Sequence, residues 1–182
     1  MLTRDELREA RDRAAAMMRR AGIRLTEAEI AAMDVADFGL GHLEVEGAEI
    51  VSFFNTERVS AKVIALFPGQ SLPEHWHTSF GEDPGKEETL RVIEGTLRLY
   101  VPGEASIPAG HIPAGKAACY TSRHEIVLRP GEQFTLAPGV KHWFQAGPEG
   151  VVMYSFSSAA RDALDPFTDP AIVRVTRIAP ED

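Results

Sequence analysis

From about residue 42 the chain breaks into short runs rich in Val, Ile, Phe and Leu, each closed by Gly or Pro. That texture limits the fold more than any other feature, because β-branched and aromatic runs between turn formers pair as consecutive antiparallel strands. The runs predict strands over 49–55, 60–67, 72–77, 86–93, 96–101, 124–128, 133–136, 141–146 and 150–157. So many short strands in succession favour a closed barrel or jelly roll over a layered α/β fold.

Ahead of the strands the pattern is helical. Thr3 can cap a helix with Glu6 reaching back to it and Leu2 and Leu7 stapling the turn, and Leu25, Thr26, Glu29 and Ile30 repeat the arrangement. Leu7, Ala10, Ala14, Met17 and Met18 recur near helical spacing, which predicts helices over 4–20 and 27–33 with both methionines packed as core. At 182 residues the chain reads as one domain, 1–182. It divides into a helical segment (1–41), a barrel (42–160) and a turn-rich tail (161–182) with an edge strand near 172–178. The segment 102–123, broken by Pro102, Pro108, Pro113, Gly103, Gly110 and Gly115, reads as a long loop near the barrel mouth. It either shapes substrate access or is a surface insertion.

Asp plus Glu exceed Lys plus Arg by 27 to 19, a balance that repels a phosphate backbone and excludes nucleic acid as the expected partner. No apolar run is long enough for a signal-peptide core or a membrane span, so the expectation is a cytoplasmic protein with no membrane partner. Cys119 is the single cysteine, which rules out an intrachain disulfide and a multi-thiolate metal site. Any metal must use His and carboxylates.

His75 and His77 stand two apart in a strand, so both imidazoles face one side, here the barrel interior. After a connection containing Gly81, Pro84 and Gly85, the residues Lys86, Glu88 and Leu90 share one strand face while Glu87 and Thr89 share the other. The Pro138-Gly139 turn starts a strand that returns His142 to the same place. His75, His77, Glu88 and His142 therefore form a candidate ligand set that leaves positions open on a six-coordinate ion. Lys86 shares the parity of Glu88, which argues for the cavity. Glu74 and Glu87 fall on the face opposite the ligands and read as surface charge, Trp76, Trp143 and Phe144 read as core, and His124 has no spaced partner and reads as structural.

Gly69, five residues, His75-x-His77, Glu88, six residues and Gly95 resemble the first cupin motif, and Gly131 through Pro138-Gly139 to His142 resembles the second. The loop between His77 and Glu88 is longer than the motif has it, and Ala146 replaces its closing Asn. More narrowly, Pro73-Glu74-His75-Trp76-His77, Gly85-Lys86-Glu87-Glu88-Thr89, His124 to Gln133, His142-Trp143-Phe144-Gln145-Ala146-Gly147 and Phe167-Thr168-Asp169-Pro170 resemble the D-lyxose isomerase family. That resemblance spans nearly the whole chain and includes Asp37-Phe38-Gly39. It implies a mainly β fold, a cupin β-barrel (jelly roll) with N-terminal α-helices. It also implies a divalent metal, manganese, with iron, cobalt, nickel or zinc also compatible with the ligands. The implied enzyme is a homodimer that interconverts monosaccharides through an enediol, D-lyxose with D-xylulose and D-mannose with D-fructose. It implies that Lys86 steadies the developing oxyanion or exchanges a proton with it. Relatives carry a glutamate on the strand entering Phe156-Ser157-Ser158, where this chain has Ser155. The base is thus open, with Asp162 and Asp165 the nearest candidates and Glu82 a third. Two rivals stand beside the isomerase: a dioxygenase-type cupin using iron, nickel or copper, and a sugar-binding cupin with weakened turnover.

Overall fold

The computed structural model describes residues 1–107 and 111–179; Pro108 and Gly110 of the long loop and the end of the expected tail lie outside the described residues. Helices α1 (Arg4–Arg20) and α2 (Glu27–Ala31) lead into strands β1 (Asp34–Ala36), β2 (Ala48–Asn55), β3 (Val59–Leu66) and β4 (Ser71–His75). The chain continues through β5 (Glu88–Val101), β6 (His124–Leu128), β7 (Gln133–Leu136) and β8 (His142–Ser158). Both helices start at full capping boxes, on Thr3 with Glu6 and on Thr26 with Glu29. Each box satisfies otherwise unpaired N–H groups of the first turn, which lets even the five-residue α2 hold its end.

All pairings are antiparallel, in the order β1-β2-β3-β8-β5-β6, with β4 also on β8 and β7 also on β5. β5 and β8 are the spine. They pair along almost their full length, from Glu88 with Ser157 to Tyr100 with Trp143, and each serves different neighbours at its two ends. The sequence pattern divides each of them into two strands at Gly95 and at Gly147–Gly150. In the structure the glycines mark bends within continuous strands, with register shifts between Val92 and Glu94 and between Gly95 and Leu97. Gly95 has φ +81°, and a Cβ there would lie 2.1 Å from the Gly150 carbonyl oxygen, so the two backbones meet where a side chain has no room.

The barrel interior is filled by Ile64, Leu66, Leu90, Val92, Leu97, Leu99, Phe144 and Met153. A second core lies outside the sheet, where Met17 and Met18 of α1 pack with Val51, Val63, Ala65, Phe67 and Val152. A third, of Tyr100, Tyr120 and Trp143, sits under the long loop, with Tyr100 stacked on Trp143 at 3.8 Å. The loop thus covers the outer wall of the barrel, and its described residues do not line the pocket onto which His75 faces.

The expected edge strand near 172–178 does not form. β1 offers only three residues of edge, so the tail is held by single contacts: Val173 N–H donates to the Phe38 carbonyl, the Thr176 hydroxyl donates to the Val35 carbonyl, and Ile178 bridges Leu2. Among the described residues no helix is long and apolar enough to cross a membrane.

Candidate metal centre

β4 ends on His75 and β8 begins on His142, and the register pairs these two residues. His77 follows two residues beyond, and the three imidazole rings lie 4.3 to 5.4 Å apart. Each ring is fixed by a backbone carbonyl at Nδ1: Pro73 for His75 (2.9 Å), Lys86 for His77 (3.1 Å) and Val140 for His142 (2.9 Å). A carbonyl only accepts, so each Nδ1 carries the proton and each Nε2 presents a lone pair. One ligand atom from each ring falls within 4.8 Å of the other two.

Burial pushes all three imidazoles below the usual histidine range, His77 to about 3 even with Glu88 pulling the other way. All are therefore neutral at physiological pH. The Nε2 atoms of His77 and His142 are buried and without any hydrogen-bond partner. An unsatisfied buried nitrogen is costly, and a cation bound between these rings removes that cost. The residues present fit a metal.

Glu88 opens β5 with its Oε2 3.5 Å from His77 Nε2. Burial alone would raise its carboxyl, but Lys86, His77 and His142 hold it at about 2, and the Ser155 hydroxyl donates to its other oxygen. Lys86 Nζ lies 3.4 Å from Glu88 Oε1 and 3.0 Å from Asp162 Oδ1, although the strand expected from residue 86 begins only at Glu88.

The wall opposite comes from the chain after β8. Residues 162–164 form one 3₁₀ turn, and the strand-like segment beyond runs back along β4, with His75 bridging Phe167 and Thr168 N–H donating to the Glu74 carbonyl. This return carries Asp162 and Asp165 into the pocket with His75, Lys86 and Glu88. Asp162 is ion-paired with Lys62 and Lys86, which hold its carboxyl well below the usual range although burial opposes them. Asp165 lies 3.9 Å from His77 Nε2, and burial, with Asp162 and Glu88 adding to it and Lys86 opposing, lifts its carboxyl to about 7.

The apolar wall includes Phe38, Ile64, Phe144 and Phe167. Phe38 has φ +53°, a left-handed conformation that is strained for a residue with a bulky side chain. The conformation sets its ring 5.5 Å from that of Phe167 inside the pocket.

The structure brings together all seven sequence-selected residues, His75, His77, Lys86, Glu88, His142, Asp162 and Asp165. Glu82 is exposed and outside the pocket. Glu74, expected at the surface, is buried: it accepts from Thr121, Ser122 and Thr168, clamping the long loop and the returning segment behind His75. Trp143 and Phe144 are buried as expected, while Trp76 is half-buried under Lys141. Sequence reasoning passed over Lys62 and Arg174, both of which line the pocket. Lys62 had a signal, a lone charge in the apolar run 59–67 at the same parity as Ile64.

The cupin family's sequence profile matches residues 40–169. The D-lyxose ketol-isomerase of Cohnella laeviribosi is 54% identical over 179 residues, covering 97% of this chain and 98% of that one. The D-lyxose/D-mannose isomerase of Thermosediminibacter oceani is 44% identical over 98% of this chain and 99% of its own length. Among solved structures, the L-ribose isomerase of Cellulomonas parahominis superposes with a TM-score of 0.83, at 18% identity and 98% coverage of both chains. At that identity the likeness bears on the fold alone.

Proposed function

We propose that this chain, which belongs to the cupin family and within it to the D-lyxose ketol-isomerases, interconverts an aldose with its 2-ketose, D-lyxose with D-xylulose and D-mannose with D-fructose. The observation that carries this reading is the convergence of three neutral Nε2 atoms beside an ionised carboxylate, at a pocket that His75 and Glu88 line together with Lys62, Lys86, Asp162 and Asp165. Moving a proton between adjacent carbons needs polarised oxygens, a base and an anion-stabilising cation, and these groups supply each.

A divalent cation held by His75, His77, Glu88 and His142 would act as a Lewis acid on the sugar's carbonyl and neighbouring hydroxyl oxygens. Manganese is the ion we propose, and the same nitrogen and oxygen donors admit iron, cobalt, nickel or zinc.

Asp165 is the base in this reading. Among the described residues it has no lysine or arginine partner, so its carboxylate is free to take the C2 proton of the aldose and return it to C1. Asp162 is held between Lys62 and Lys86 and keeps its charge committed to them. Glu88, Asp162 and Asp165 keep the Lys86 ammonium protonated against the effect of burial. Lys86 donates to O1 as charge builds there and recovers a proton from O2 as the ketone forms. Ser155 donates to Glu88 and so steadies a ligand, which leaves proton abstraction to Asp165. The aromatic wall faces the apolar side of the sugar and limits water.

The test is anaerobic incubation of metal-stripped protein with D-lyxose, D-mannose and D-fructose, with and without manganese, followed by chromatography. Manganese-dependent interconversion is expected. Metal and sugar binding without product would overturn the isomerase in favour of a binding protein.

A further inference from the structure

The loop between His77 and Lys86 closes on the metal centre at its base and on the chain after β8 at its tip. Phe80 and Asp83 exchange two backbone hydrogen bonds around Gly81-Glu82, at 2.9 and 3.0 Å, and the Asp83 carboxylate also accepts from the Gly85 N–H. Gly85, at φ +107°, packs so closely that a Cβ there would lie 2.5 Å from the His77 carbonyl oxygen. Arg161 donates to Asp83 Oδ2 at 2.6 Å, with its guanidinium 5.4 Å from the centre of the Phe80 ring. One residue on, Asp162 pairs with Lys86. The charges run acid then base at 83 and 86, against base then acid at 161 and 162, so a slip of one segment past the other sets like charges together.

The segment needs these ties because it has little structure of its own. The Asn55 side chain holds Ala160, accepting from its N–H at 3.1 Å and donating to its carbonyl at 2.9 Å. The three-residue 3₁₀ turn that follows has no side-chain cap and hangs from Arg161: Leu164 N–H donates to the Arg161 carbonyl at 2.8 Å, and Asp165 N–H to the Asp162 carbonyl at 3.3 Å. The next tie is Trp76 N–H to the Pro166 carbonyl. Among the described residues no lysine or arginine holds the Asp165 carboxylate, so this backbone sets its place 3.9 Å from His77 Nε2.

We propose that Arg161 is a positioning residue for the isomerase: through its pair with Asp83 it fixes the turn that presents Asp165 and ties that turn to the loop flanking His77. This rests on Asp165 being the base. The two side chains of the pair are 37 and 32% exposed, and an ion pair so open to solvent adds little to stability. Its value is geometric, because a displacement of about 1 Å at a reacting group costs on the order of 100-fold in rate.

Arg161→Met tests this, since it keeps much of the side chain and removes the charge. With manganese and D-lyxose, kcat is expected to fall about 10- to 100-fold with KM within about twofold, and with metal content and denaturant midpoint unchanged. Arg161→Lys should recover part of the loss. Asp83→Asn should match Arg161→Met, and the double variant should be no slower than either, because the two residues act as one unit. In the metal-free protein, hydrogen exchange in Arg161→Met should quicken at Leu164 and Asp165 and stay as in the wild type along β5 and β8. An unaltered kcat in Arg161→Met overturns the inference and leaves the base assignment standing. So does an equal further loss when Arg161→Met is added to Asp165→Asn, and so does a fall in stability or faster exchange throughout the chain. Wild-type turnover in Asp165→Asn alone would instead remove the base, and this inference with it.

Discussion

Lys62 on β3 is ion-paired with Asp162 on the turn that follows β8. The β3–β8 register sets Lys62 directly opposite Ser155, and Asp162 also holds Lys86 at 3.0 Å. Two lysines sharing one aspartate leave a net positive charge facing Glu88 and the reacting end of the pocket. That charge is where an enediolate would be stabilised.

Lys62→Met keeps the length of the side chain and removes its charge. Asp162 then has Lys86 alone, and Lys86 is less free to serve the substrate. The expected result is a fall in kcat of about 10- to 100-fold with metal content unchanged. Steady-state kinetics beside elemental analysis would check it, and an unaltered kcat would remove Lys62 from the electrostatics of the site.

The ligand set makes a separate claim. Glu88→Gln preserves volume while deleting the charge, so manganese retained after dialysis should drop by at least about 10-fold. In the wild type, manganese at a hundredfold excess over its dissociation constant should stabilise the fold by about 2.7 kcal/mol. His142→Ala should lose most of that shift in a thermal melt. Stoichiometric metal in either variant would refute the assignment.

Asp165 and Asp162 differ in their environments, and the two asparagine variants should differ accordingly. Asp165→Asn should lower kcat about 100- to 10,000-fold with manganese still bound. Burial holds its carboxyl at about 7 with Lys86 opposing, and a bound metal ion would draw it lower, so kcat/KM should rise with pH through a limb at or below about 7. Survival of that limb in Asp165→Asn would assign it to another group. Asp162→Asn should cost less, since it disturbs lysines without removing the proposed base.

Much of this site is legible in the chain because its rules are local. Two-residue spacing brings His75 together with His77 and Lys86 with Glu88, although β4 ends at His75 and β5 starts only at Glu88, and a turn before His142 returns the third imidazole. Capping boxes at Thr3 and Thr26 place both helices. What is not legible depends on contacts between distant segments. Lys62 resembles an ordinary strand lysine until Asp162 arrives from the far side of β8, and Glu74 resembles surface charge until Thr121, Ser122 and Thr168 enclose it. Gly95 reads as a turn in sequence because a bend inside a strand and a break between strands use the same residue.

Glu49 gives a prediction about stability. It is fully buried, accepts from Gln70 at 3.2 Å through one oxygen and leaves the other without a partner. Burial raises its carboxyl well above the usual range. A group raised in the folded state stabilises the fold fully below its unfolded pKa, and that contribution is lost as pH rises through the folded value. Glu49→Gln should therefore change little in acid and become relatively stabilising, by about 1–3 kcal/mol, at mildly alkaline pH. Denaturant melts at two pH values measure the difference. A gap that narrowed as pH rose would mean that Glu49 is folded as a charged group.

Gly95 tests the fold itself. Its φ of +81° is one that residues with a Cβ rarely adopt, and the position a Cβ would take is 2.1 Å from the backbone oxygen of Gly150, well inside contact distance. Neither atom belongs to a flexible side chain, so relief requires β5 and β8 to separate at their bend. Those strands carry two of the proposed ligands at their ends, Glu88 at the start of β5 and His142 at the start of β8. Gly95→Ala should thus destabilise by about 3 kcal/mol or more and lower manganese affinity together with it. Gly131→Ala, also at positive φ (+88°) but with open space around it, should cost only about 1 kcal/mol. Denaturant melts of both variants separate the clash from the backbone preference. Equal losses at the two positions would show that the approach of β5 to β8 is not what fixes Gly95.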